Sequence, residues 1–238
     1  MALPQAFETY RFPRTDQADL TCIGLHIDGD IKAWWESALP FVTEKEHNHA
    51  KQFVHAIDGV RHMLGRAMVR RTLNATDGTP LTTEFAKTEW GKPYLPNASI
   101  DFSISHSGNM IWAAFCPKGS VGIDVERISP LPELSQMTNM LHPDENAAIR
   151  KGPIRERTSL FYRCWVRKEA VLKASGKGLS RPLDSVRVLT TQSETGWFQS
   201  IDGQLPEHWT AYDIPQPENY LCSVAATILT QDRETFFL

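Results

Sequence analysis

The sequence predicts an α+β fold, and three observations carry that prediction. Stretches that alternate apolar and polar residues are mixed with stretches where apolar residues recur at helical spacing, so both strands and helices are present. These do not alternate one for one. Strand, helix, strand and strand come first, then an acidic strand, a helical region and a run of closing strands, an order that favours antiparallel sheets. The 238 residues are 41% hydrophobic and 22% charged, enough for a sizeable core in one domain or in two of about 120 residues. Pro117-Lys118-Gly119 reads as the junction, separating residues 1–118 from 119–238.

Taken in order, residues 1–20 read as irregular and Thr21 to Asp28 as the first strand. Thr43-x-x-Glu46 has the spacing of a capping box and starts a helix, which Asp58-Gly59 is expected to break. Val60, Leu64, Ala67, Met68 and Arg71 then recur at helical spacing, with Met63 widening the apolar face. Gly91-Lys92-Pro93 enforces a turn and leaves Lys92 on a loop. Ile100 to Ser105 and Met110 to Phe115 alternate as strands joined by a turn at Ser107-Gly108-Asn109. From Ser129 onward Pro130, Pro132, Pro143 and Pro153 bound short helical pieces, and Leu141-His142-Pro143-x-Glu145 marks a helix start. Met137, Met140 and Leu141 form a face there that suits either core or an adaptable partner surface. Ser185 to Thr190, Trp197 to Ile201, His208 to Asp213 and Tyr220 to Leu229 are the closing strands.

Composition excludes several functions. Arg61, Arg66, Arg70 and Arg71 form a basic cluster, but net charge -3 and a pI near 6.2 speak against a nucleic-acid surface and for a local anion site. Cys22, Cys116, Cys164 and Cys222 lie far apart without C-x-x-C spacing and read as free buried thiols. His47, His49, His55 and His62 match no zinc spacing and read as a solvated helix face. No apolar run reaches a membrane span, and Met1 to Arg11 lacks the basic start and hydrophobic centre of a signal peptide, so a cytoplasmic protein is expected.

Two stretches carry chemistry. In Gly122-Ile123-Asp124-Val125-Glu126 the aliphatics face a core while both carboxylates project from the opposite strand face, where they repel unless a cation lies between them. Oxygen ligands of this kind suit Mg2+, although an amphipathic strand with a charged outer face has the same pattern. In Trp165 to Lys173, Glu169 and Lys173 stand one above the other beside an apolar stripe of Phe161, Trp165 and Leu172. Alone, such a pair is an ordinary surface pair; its place beside the stripe, with Arg163, Arg167 and Ala170 on the far and solvated side, points instead to a site. Gly176 and Gly178 then stop the helix. Ser105-His106 at a strand end invites a hydrolase triad with Asp101 or Asp124. There is no G-x-S-x-G elbow, however, and neighbours on a strand point to opposite sides.

The combination of Gly91-Lys92-Pro93, Phe102-Ser103-Ile104-Ser105-His106-Ser107, Gly122-Ile123-Asp124-Val125-Glu126 and Trp165-x-x-Lys168-Glu169-x-x-x-Lys173-x-x-Gly176-x-Gly178-Leu179 resembles the Sfp-type 4′-phosphopantetheinyl transferases. The resemblance implies two similar α+β halves related by a pseudo-twofold, each a small antiparallel sheet packed with helices, with the active site in the cleft between them. It implies coenzyme A as substrate, apo acyl or peptidyl carrier proteins of fatty-acid, polyketide or nonribosomal-peptide synthesis as acceptors, and 3′,5′-adenosine bisphosphate as the leaving group. By the same resemblance Lys45, Arg61, Lys92, Ser105, His106 and Lys173 bind coenzyme A. Asp124, Glu126 and Glu169 hold Mg2+, and Glu169, Lys173 and His106 are catalytic, Glu169 as base and His106 electrostatically. A second basic contact common in the family would fall near Asn48, where Lys51 is the candidate substitute. The expected state is a monomer, with no nucleic acid or membrane as partner. Two other readings stay open at this point: a Mg2+-dependent phosphodiesterase or nuclease, and a non-catalytic module that binds coenzyme A or a carrier protein.

Overall fold

The computed structural model describes residues 7–12, 20–191, 196–204 and 208–227. Its first half runs β1 (Phe7–Phe12), β2 (Leu20–His26), α1 (Ile31–Ala38), α2 (Glu44–Ala50), α3 (Ala56–Asp77), β3 (Ala86–Lys87), β4 (Pro93–Tyr94), β5 (Asp101–Ser107) and β6 (Met110–Cys116). The second runs β7 (Ser120–Arg127), α4 (Leu134–Met137), α5 (Pro143–Lys151), α6 (Arg157–Ala174), β8 (Val186–Val188), β9 (Phe198–Ile201), β10 (Trp209–Ile214) and β11 (Tyr220–Thr227). The main sheets are antiparallel, in order β1-β2-β6-β5 and β10-β11-β7. The expected α+β architecture of two sheet-and-helix halves is present. Residues 7–12 correct the reading of an irregular start, because they pair with Leu20 to Leu25 as an edge strand. The last two residues of the expected strand Tyr220 to Leu229 lie outside the described residues.

Local rules explain most element starts. Thr43 and Glu46 form the capping box, Glu46 N–H donating to Thr43 Oγ1 at 3.3 Å and Thr43 N–H to Glu46 Oε2 at 2.9 Å. His142 and Glu145 cap α5 in the same way, with Pro143 at the first turn. Asp58-Gly59 does not break a helix: Gly59 lies inside α3, and the chain turns earlier, at 51–55. A Cβ at Gly59 would lie 2.6 Å from the Ala50 carbonyl oxygen, so the glycine permits a close helix approach rather than a break. Arg70, not Arg71, is the buried arginine of α3. It is fully buried and donates to Glu46 at 2.6 and 3.0 Å and to the carbonyls of Phe41 and Thr83, tying α2 to α3.

Three cores result. One packs α3 beneath the first sheet around Leu64, Met68, Phe102 and Ile111, and another packs α6 against the second sheet around Phe161, Leu172 and Ala225. The third lies between the halves, where Leu20, Cys22, Trp112 and Cys116 meet Val121, Ile123, Val125 and Val224. All four cysteines are buried, and none forms a disulfide.

The expected solvated side of α6 is absent. Arg167 and Ala170 are fully buried, Arg167 under the β8–β9 region and Ala170 where α6 meets Gly122 of β7. Arg167 binds Asp213 and the Thr191 carbonyl and lies over the Trp197 ring. Lys168, also fully buried, reaches Glu145 at 2.7 Å and the Leu183 carbonyl at 2.9 Å.

The halves also meet edge to edge. β5 is the edge of the first sheet and β7 the edge of the second, and side chains of β5 take the place of a backbone ladder. Asp101, Ser103, Ser105 and Ser107 accept hydrogen bonds from the backbone N–H of Val121, Ile123, Val125 and Arg127, at 2.8, 3.2, 3.3 and 3.1 Å. Two edges that would otherwise expose unpaired groups satisfy one another.

Candidate active site

Gly122 sets the site. A Cβ there would lie 2.1 Å from the Ala170 carbonyl oxygen and 2.4 Å from the Ala174 amide nitrogen, so β7 and α6 touch backbone to backbone. This contact brings Lys173 to Asp124, Nζ to Oδ1 at 2.7 Å, and to the Ile123 carbonyl at 3.0 Å. Ser105 donates to the same Asp124 oxygen at 2.8 Å, and Ser107 donates to Glu126 Oε2 at 2.6 Å. Both acids lie opposite the Val121, Ile123 and Val125 face, as the alternation predicts. That face is covered rather than solvated, and Asp124 is only 5% exposed.

A cavity of about 360 Å³ opens beside these groups, lined by Arg61, Arg66, His106, Ser105, Asp124, Glu126 and Lys173 among others. Arg61 is anchored to Asp58 and to the Gly108 carbonyl, the latter at 3.0 Å. A second cavity of about 350 Å³ shares His62, Arg66 and Pro93 with the first and adds Lys45, Lys87 and His49. The expected residues thus fall into groups. Arg61, Ser105, His106, Asp124, Glu126 and Lys173 share one cavity, and Lys45 lines its neighbour. Glu169, one helical turn before Lys173 and 8% exposed, is not among the cavity-lining residues. Lys92 lines neither cavity: its ammonium binds Asp101 at 2.6 Å and the Val121 carbonyl at 3.1 Å, closing one end of the β5–β7 seam. Lys51 is likewise absent from both linings, whereas Lys87 is present.

The sequence reading placed Arg66 only in a general anion-site cluster and missed His62 and Ser107 beside the cavities. Arg61, His62 and Arg66 flank Gly65 on one face of α3, and a basic face interrupted by glycine was the available signal. The histidine cluster is not simply a solvated face, since His49 and His62 rings pack at 4.9 Å and both line a cavity. Burial, then Arg66 and His49, push His62 down to about 4. The arginine cluster also divides, Arg61 and Arg66 facing the cavities and Arg70 holding the fold.

The electrostatics call for opposite charges on opposite walls. Burial, aided by the Asp124 and Glu126 charges and opposed by Lys173, pushes Glu169 up to about 7. Burial and the Asp124 charge also raise Glu126, against the Ser107 hydrogen bond. Desolvation and then the Arg61 guanidinium hold His106 below the usual histidine range, so its free state is the neutral imidazole. Asp124 Oδ2 and Glu169 Oε1 are buried without a hydrogen-bond partner. Orphaned carboxylate oxygens among mutually repelling acids fit a hard cation. Among the described residues no three His, Cys, Asp or Glu side chains are gathered as a ready-made ligand cluster, so Asp124, Glu126 and Glu169 are not preassembled around one point.

A cleft with arginines on one wall and clustered acids on the other defines a site for handling phosphate esters. Comparison with known proteins specifies the class. Residues 120–225 match the 4'-phosphopantetheinyl transferase superfamily, and residues 30–118 match the N-terminal part of a 4'-phosphopantetheinyl transferase. The chain is 30% identical over 206 residues to a 4'-phosphopantetheinyl transferase of Bacillus subtilis, covering 85% of this chain and 90% of that one. It is 30% identical over 183 residues to 4'-phosphopantetheinyl transferase Sfp of Bacillus subtilis strain 168, covering 75% and 80%. An L-aminoadipate-semialdehyde dehydrogenase-phosphopantetheinyl transferase of Pongo abelii is 28% identical, covering 82% and 70%. The chain belongs to the Sfp-type 4′-phosphopantetheinyl transferase family. Its activity is transfer of the 4′-phosphopantetheine group of coenzyme A to a carrier-protein serine, and the nuclease and binding-module readings are not favoured. Among the described residues no helix is long and apolar enough to cross a membrane.

Proposed function

We propose that transfer takes place in the cleft between β5, β7 and α6 and depends on Mg2+ held by Asp124, Glu126 and Glu169. The observation that carries this reading is the pair of orphaned buried oxygens, Asp124 Oδ2 and Glu169 Oε1, beside a cavity lined by Arg61, Arg66, His106 and Lys173. When bound, the cation supplies Lewis-acid neutralisation of phosphate charge.

The chain's own residues do the rest. Arg61, Arg66 and Lys173 bind and orient phosphate oxygens in the cavity, and His106 donates a ring N–H hydrogen bond to the incoming anion. Glu169 accepts the proton of the carrier serine hydroxyl. The serine oxygen bonds to the phosphorus that bears pantetheine, the phosphorus–oxygen bond to the nucleotide breaks, and 3′,5′-adenosine bisphosphate leaves. Lys45 and Lys87 in the adjoining cavity suit the nucleotide end of coenzyme A. Carrier proteins of fatty-acid, polyketide and peptide synthesis are all proposed acceptors, and the protein is proposed to work in the cytoplasm.

Intact mass of an apo acyl carrier protein incubated with this protein, coenzyme A and Mg2+ tests the reading. One added phosphopantetheinyl group, lost with EDTA and with Glu169→Ala, is expected. Equal transfer in EDTA would remove the metal assignment.

A further inference from the structure

The β5–β7 seam contains a two-residue repeat with more than one use. At each polar position of β5, one oxygen accepts a backbone N–H of β7: Asp101 from Val121, Ser103 from Ile123, Ser105 from Val125 and Ser107 from Arg127. Two of the rungs also donate. Ser105 gives its hydroxyl proton to Asp124 at 2.8 Å and Ser107 gives its own to Glu126 at 2.6 Å. A serine hydroxyl has one proton and two lone pairs, so each serine can hold a backbone amide and a carboxylate together. Ser103 has no acid to hold, because residue 122 is glycine.

We propose that Ser107 is a positioning residue for Glu126, fixing that carboxylate toward the cation site from the opposite half of the molecule. This rests on the metal reading above. Glu126 sits near the end of β7, where the strand leaves its buried run, and the Ser107 hydroxyl is the hydrogen-bond donor the structure gives to its carboxylate. A flexible carboxylate so placed gains a defined orientation from one charge-assisted hydrogen bond. The donor is itself held by Arg127 N–H at 3.1 Å. The carboxylate geometry is therefore tied to docking of the halves, and an acid on the second half is oriented only when the first half is seated. Partners of this kind, which orient a ligand without touching the metal, typically change metal affinity about 10- to 100-fold when removed.

The test is Mn2+ binding, read by electron paramagnetic resonance of the free ion, to protein saturated with coenzyme A in the absence of carrier protein. Ser107→Ala is expected to weaken Mn2+ binding about 10-fold or more, with Ser107→Thr restoring it. Ser103→Ala is the matched control: it removes the same kind of amide acceptor but no carboxylate donor, and is expected to lower stability while leaving Mn2+ affinity unchanged. Should Ser107→Ala fail to fold, Ser107→Cys keeps the volume with a weak donor and is read in the same way. Equal Mn2+ affinity in a folded Ser107 variant, or equal weakening in Ser103→Ala, overturns the positioning role. No Mn2+ binding to the wild type overturns the metal reading itself, a failure distinguishable because it appears before any substitution.

Discussion

Glu169→Gln should stabilise the metal-free protein increasingly as pH rises, while removing its transfer activity. The carboxyl is raised from its ordinary 4.5 to about 7 and is only 8% exposed. Between those values the folded state binds more protons than the unfolded state. The contribution is therefore intact below pH 4.5 and is lost as pH climbs through about 7. At about 1.36 kcal/mol for each pH unit, the penalty on the wild type is about 1 kcal/mol at pH 5 and about 3 kcal/mol at pH 8. Glutamine cannot ionise and carries none of it. Urea unfolding of both proteins in EDTA at pH 5 and pH 8 should show the stability of the variant relative to wild type growing by about 2 kcal/mol across that interval. Any fixed cost of burying the amide cancels in this comparison, because it does not depend on pH. The same relative stability at both pH values would show that Glu169 is not held protonated near neutrality, and would remove the argument for it as a base.

Gly122→Ala should cost at least about 3 kcal/mol in urea unfolding, more than ordinary overpacking, because backbone atoms of α6 rather than a movable side chain stand 2.1 Å from the added Cβ. Lys168→Met should cost about 3–5 kcal/mol by leaving Glu145 buried and unpaired, and a second change, Glu145→Gln, should recover part of it by removing the charge while keeping an acceptor for Val188 N–H. Lys173→Ala should lower turnover about 100-fold or more, and it should also lower the urea midpoint because the buried Asp124 carboxylate loses its ammonium; a fully active variant would make the ammonium an ordinary neighbour of Asp124.

The sequence alone determined the elements whose causes are local. The capping box at Thr43, the helix start at His142, the alternation around Asp124 and the glycines after α6 each depend on a few neighbouring residues, and each is present as read. The motif order from Gly91 to Leu179 was enough to indicate the family and most of the cleft. Only the tertiary structure decided what covers a surface and what a charge meets across the fold. A helical wheel assigned Arg167 and Ala170 to water, but Arg167 is covered by residues beyond 185 and Ala170 meets Gly122 of β7. Gly59 looked like a breaker because glycine disfavours helices, yet close contact with α2 outweighs that local cost. Lys92, read as a coenzyme A contact, binds Asp101 and the Val121 carbonyl at the seam, and Ser107, read as a turn residue, holds Glu126. The contacts across the seam have one physical reason: partners 19 and 29 residues apart are brought together by the docking of two sheet edges, which no local periodicity encodes.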